Sequence, residues 1–254
     1  MLSNCLRRRI SVTVTYSLEK RYVLRLGTLA LSCCREVLAP LQPHTQGGDF
    51  LREESITDLA YVEGQLIVSG LSSNREAPSG VRSIGFPFGD EAKGSSLEIY
   101  HGAHGRAEDD AAIRTFVPFF IDGQPNLLAG FTCTPLVRFP LDQVSGGDLI
   151  RGTTVAELGN RNRPLDMIVY QQDGKHYLLL SNSSRGVMKV STEKIESNEG
   201  ITEPVEGGGT AGQPYETIED WQGVVQMDRL NDTHAVIILS DDSGALQLRT
   251  EPLP

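Results

Sequence analysis

Two short stretches carry residue types that could do chemistry. In Tyr100 to Asp110, YHGAHGRAEDD, the imidazoles His101 and His104 precede the carboxylates Glu108, Asp109 and Asp110. Imidazole and carboxylate together suit a divalent ion. The HxxH spacing does not set two imidazoles on one helical face as an i,i+4 pair would, and Gly102 and Gly105 predict a solvated loop between strands. The second stretch is Asn160 to Asp166, NRNRPLD. Arg161 and Arg163, with Asn162 between them, could grip a carboxylate or phosphate through paired N–H bonds. Asp166, and Asp58 at the matching place in an earlier segment, could join such a site or cap turns by accepting backbone N–H bonds. The expected ligand-contacting set is thus Asp58, Arg161, Asn162, Arg163 and Asp166, and the expected metal-contacting pair is His101 and His104.

Other candidates carry less. Cys133 in FTCTPLV could be a nucleophile, but nothing in the sequence ties a His or Asp to it, and an isolated cysteine behaves as a small buried hydrophobe. Ser181 to Gly186, SNSSRG, lacks the GxSxG of a nucleophile elbow. Glu206 to Pro214, EGGGTAGQP, lacks the Lys-Ser/Thr pair of a phosphate loop. No acid-base pair is legible, so neither reaction nor cofactor follows.

The elements that must position these residues recur. From Ile56 to Asn74 the chain reads ITDLAYVEGQLIVSGLSSN, and from Pro164 to Val190 it reads PLDMIVYQQDGKHYLLLSNSSRGVMKV. Asp58 matches Asp166, Tyr61 matches Tyr170, Glu63-Gly64 matches Asp173-Gly174, and Ser69 matches Ser181. A second copy, Phe116 to Leu141, turns at Asp122-Gly123; a fourth, Trp221 to Arg249, turns at Asn231-Asp232. An acidic residue followed by Gly between apolar runs predicts a hairpin, because Gly accepts the positive φ of such turns. LIVSG, YLLLS and AVIILS are apolar at successive positions, which predicts strands covered on both faces. The fold class is therefore all-β, built of antiparallel meander units.

This grammar resembles the β-propeller class that includes NHL-like, YVTN-like and quinoprotein repeats, over residues 51–254. The resemblance implies consecutive blades, with ligands at the channel mouth. No WD dipeptide occurs, and Trp221 is the single tryptophan. Four units are fewer than many closed rings hold, so the expectation is the C-terminal blades of a larger propeller.

Charge and cysteine divide the chain near residue 50. Residues 1–50 hold seven Lys/Arg against three Asp/Glu, and the remainder carries a net charge of −14. An acidic body repels phosphate backbones, so nucleic acid is excluded and the expected partner is a small molecule or a protein. Three of the four cysteines, Cys5, Cys33 and Cys34, lie in the leader. No apolar run reaches the roughly 18 residues of a membrane span. Leu26 to Cys34, LGTLALSCC, follows a basic stretch and resembles a degraded lipoprotein signal, which favours the periplasm or secretion over the cytoplasm.

Two readings of function stand together: a propeller binding or scaffold module, and a propeller hydrolase or quinone-type oxidoreductase whose site gathers single residues from several blades. The leader's pattern has no counterpart downstream, so deleting residues 1–50 should leave the melting temperature nearly unchanged. A drop of more than about 5 °C in a thermal melt would show that the leader docks.

Overall fold

The computed structural model describes residues 54–72, 78–88, 93–144, 146–207 and 209–254. The expected leader, residues 1–50, lies outside them. Four largely antiparallel sheets follow one another along the chain. The first contains β1 (Asp58–Val62), β2 (Gln65–Leu71), β3 (Ser79–Gly85), β4 (Lys93–His101) and β5 (Arg106–Glu108), and β9 (Leu149–Arg151) joins β4 in parallel. The second runs β6 (Ile113–Ile121), β7 (Gln124–Phe131), β8 (Pro135–Pro140), β10 (Thr153–Leu158) and β14 (Thr210–Gly212). The third runs β11 (Pro164–Gln172), β12 (Lys175–Asn182), β13 (Gly186–Ser191) and β15 (Tyr215–Ile218), and the fourth β16 (Val224–Arg229), β17 (His234–Ser240) and β18 (Leu246–Pro252). No α-helix occurs among the described residues, and no helix there is long and apolar enough to cross a membrane.

The hairpins turn where the sequence places them. Glu63 and Gly64, Asp122 and Gly123, and Asp173 and Gly174 all take positive φ, the paired left-handed geometry whose twist matches the flanking strands. The fourth turn is held differently, by the Asn231 side-chain oxygen accepting the N–H groups of Thr233 and His234.

The doubly apolar runs are explained by period-two alternation between two cores. In β7, Leu127 and Ala129 enter the core shared with the first sheet, while Leu128 enters the core shared with the third. In β12, Leu178 and Leu180 face the second sheet and Leu179 the fourth. The sheets therefore stack in chain order with one core per junction. Their first strands, β1, β6, β11 and β16, pack in turn against one another and line a cavity of about 1150 Å³.

A half-buried aspartate ties alternate junctions. Asp58 Oδ2 accepts the Phe116 N–H and the Thr115 hydroxyl of β6, each at 2.8 Å. Asp166 Oδ2 accepts the Met227 N–H of β16 at 2.8 Å, and each aspartate's Oδ1 accepts the N–H of its own next residue. Both line the cavity, yet they act as the backbone caps anticipated for them, with the difference that each cap crosses to a neighbouring sheet. Burial, assisted by the charges of Asp58 and Asp228, pushes the Asp166 carboxyl up to about 7 against the pull of its N–H donors.

A raised carboxyl favours folding while protonated, and the cost of its charge grows as pH climbs from the ordinary value of 3.8 to about 7. Asp166→Asn removes that cost together with one acceptor. Its melting temperature should trail the wild type near the acid end of this window and gain on it toward the neutral end. Parallel pH profiles for the two proteins would refute the assignment.

Candidate functional site

The β4–β5 hairpin is a tight turn, not the solvated loop its glycines suggest. The Gly105 and His104 N–H groups both donate to the His101 carbonyl. Placing His101 at the end of β4 buries its ring to 1% exposure, because alternation in KGSSLEIYH sends Leu97, Ile99 and His101 inward together. Gly102 lets this turn press against its surroundings. Its N–H donates to Glu157 Oε1 at 2.5 Å, and any side chain there would strike Val205, Ile201 and the Glu157 carboxylate.

Glu108, three residues into the return strand, holds both imidazoles. Its Oε2 lies 2.8 Å from His101 Nδ1, and its Oε1 lies 2.7 Å from His104 Nδ1 and 3.0 Å from Arg106 Nε. Burial alone would raise the Glu108 carboxyl, but the three donors outweigh it and hold the group below its ordinary range. Burial keeps His101 below the ordinary imidazole value despite the adjacent carboxylate, which favours the neutral ring. A neutral ring donating from Nδ1 carries its lone pair on Nε2. The two ring centroids lie 3.7 Å apart, with the planes tilted by 36°.

Cys133 meets them there. It lies in the β7–β8 turn of the second sheet, where Cys133 and Thr134 both adopt the left-handed region, at φ 65° and 63°. Non-glycine residues held so carry strain that the surroundings must offset. Here the Cys133 N–H donates to the Asn162 carbonyl and the Thr134 hydroxyl donates to the Gly159 carbonyl. One ring nitrogen of each histidine and the Cys133 sulfur lie within 4.8 Å of one another. Cys133 is half-buried and the His104 side chain is 42% exposed, so one side of this triangle faces solvent.

Glu157 of β10 stands behind His101. Its side chain is fully buried, and its Oε2 lies 4.0 Å from His101 Nε2. Neither atom has a hydrogen-bond partner among the described residues. Burial pushes the Glu157 carboxyl up to about 7, against the N–H bonds from Gly102 and Ala103. Two buried polar atoms facing each other without partners are costly unless something bridges them.

The sequence-derived sets divide differently in space. His101 and His104 come together, in company with Glu108, Cys133 and Glu157. Cys133 is therefore not isolated from imidazole, and a charged residue inside the apolar run VAEL was the signal for Glu157. Arg161, Asn162 and Arg163 do not join Asp58 and Asp166 around the cavity. The two arginines are exposed beside the Cys133 turn, whereas Asn162 is buried, with its Oδ1 accepting the Ser184 N–H.

The bridging role of Glu108 predicts a graded mutational response. Glu108→Gln should lower unfolding stability by about 2–3 kcal/mol in a denaturant titration, since charge-assisted bonds to both rings are lost. Arg106→Gln, at an exposed partner, should cost less than about 1 kcal/mol. Equal effects would mean that Glu108 serves Arg106 alone. No protein-family model matches this chain and no curated protein matches it, so the functional reading rests on this geometry.

Proposed function

We propose that this protein is a metal-binding module of β-propeller type, with a divalent transition ion held by His101, His104 and Cys133 at the junction of its first two sheets. One observation carries the reading: Glu108 engages Nδ1 of both histidines, which leaves their Nε2 atoms for a ligand, and one ring nitrogen of each lies within 4.8 Å of the Cys133 sulfur. A carboxylate behind a ligating imidazole fixes its tautomer and orientation, which is the usual support for such ligands. Two imidazoles and a thiolate favour zinc or a similar borderline ion over calcium or magnesium. Metal–nitrogen bonds of about 2.0–2.1 Å and a metal–sulfur bond of about 2.3 Å require the three donors to draw in modestly from their present spread. Three protein ligands with a solvent-facing side match the pattern of zinc sites that exchange a fourth ligand.

The propeller part of the proposal rests on the four meander sheets, the core at each junction, and the first strands lining one cavity. Under it the sheets are consecutive blades, and the ion links the outer part of one blade to the next.

A second reading is favoured by the strained backbone at Cys133. A cysteine held at positive φ beside His104, which is itself oriented by Glu108, has the parts of a nucleophile with its base. Alkylation distinguishes the two. A nucleophile reacts quickly in metal-free protein and slows in His104→Ala, whereas a ligand is protected by the ion.

Cobalt(II) added to the full chain should bind one ion per chain and produce a near-ultraviolet thiolate-to-metal band. That band should vanish in Cys133→Ser. His104→Ala should weaken binding by about tenfold or more, and affinity should rise with pH because the thiol must lose its proton. A chain that binds no cobalt, or binds it equally well as Cys133→Ser, would overturn the proposal.

A further inference from the structure

We infer that the rim beside this centre, formed by Arg161, Arg163 and Arg185, binds the oxyanion end of a small ligand, a phosphate or carboxylate group, and presents it to the metal. The inference rests on the metal reading and names the class of ligand that reading leaves open.

Three loops converge here and are laced by their backbones. The Cys133 N–H donates to the carbonyl of Asn162, placing the ligand turn directly against the residue that separates Arg161 from Arg163. Arg163 N–H donates to the Ser183 hydroxyl, Ser183 N–H returns to the Arg163 carbonyl, and Ser184 N–H donates to Asn162 Oδ1. Arg185 follows in the same turn. Its guanidinium lies so close over Gly159 that a side chain at that position would fall 2.6 Å from its Nε and Cζ. Gly159 is tied in turn to Gly209, which sits against Ala103 of the histidine hairpin.

The three guanidinium groups are exposed, and none makes an ion pair or hydrogen bond among the described residues. In a body whose net charge is −14, three unpaired cations on adjoining turns are unusual. Exposed and without protein partners, they are free to meet an anion from solution. Arg161 is also held at φ 55°, a left-handed conformation that a long side chain rarely takes. Beneath them, Asn162 is 3% exposed and its Nδ2 has no acceptor among the described residues. Guanidinium forks match the planar or tetrahedral oxygens of carboxylate and phosphate. Because the Cys133 N–H donates to the Asn162 carbonyl, the arginine loop adjoins the turn that carries the sulfur, and an oxyanion gripped there would reach toward the ion.

The test uses the full chain loaded with cobalt(II), titrated separately with inorganic phosphate and with acetate, and followed by the cobalt visible spectrum and by calorimetry. At least one anion should shift the cobalt bands and bind more tightly to loaded than to metal-free protein. The Arg161→Gln, Arg163→Gln double variant should weaken that binding by about tenfold or more, leaving cobalt affinity and melting temperature unchanged. Normal cobalt binding with neither anion affecting the spectrum would overturn the oxyanion site while leaving the metal centre standing. Anion binding indifferent to the arginine substitutions would overturn it too. Failure of cobalt itself to bind would remove both.

Discussion

Each inner sheet has to bury both of its faces, and the rest of the molecule follows from that. A strand whose odd and even residues enter different cores has no place for a polar side chain along its middle, because an unpaired polar group there costs free energy on either side. β7 and β12 obey this with Leu and Ala at successive positions. Polar chemistry is displaced to strand ends and to the turns between them. Both aspartate clasps, at Asp58 and Asp166, sit near the start of a first strand, and the histidine, cysteine and arginine loops gather at sheet margins.

Where a carboxylate does enter the interior, something compensates. Asp58 and Asp166 each receive N–H donors from two directions, and Glu108 receives two imidazoles and a guanidinium. Glu157 is the exception: one oxygen is matched by the Gly102 N–H and the other faces His101 without a partner. That imbalance sits next to the clustered donor atoms of His101, His104 and Cys133, and the proposed cation would account for both. Neither the imidazole pair nor the cysteine would indicate this alone, since a buried histidine with a carboxylate partner is an ordinary structural arrangement.

Much of the fold was legible. The acidic-Gly turn pairs at 63–64, 122–123 and 173–174 are local chemistry, and the equivalence of Asp58 and Asp166 reflects their shared role in bonding to the next sheet. The outer strands escaped notice because their pairing is non-local: β9 reaches back in parallel to β4, and β14 pairs with β10 across an intervening sheet. The site was half legible for the same reason. His101, His104 and Glu108 share one hairpin and can be read together, but Cys133 and Glu157 arrive from the second sheet, and no spacing rule links positions 101, 133 and 157. Glycine at 102 and 105 misled, since here it permits close packing where flexibility was the simpler reading.

Because each core is shared by only two neighbouring sheets, cohesion passes along the stack one junction at a time. The first junction is supplied with hydrogen-bonded side chains and the candidate ion ligands. The fourth sheet has three strands and shows Leu246 and Leu248 on its outer face at 66% and 72% exposure. Cooperativity in such an array is nearest-neighbour, as in a row of coupled spins, and opening can begin at one end without disturbing the other. Amide hydrogens of β17 should thus exchange through a local excursion of the last sheet, while those of β7 wait for the whole row to part.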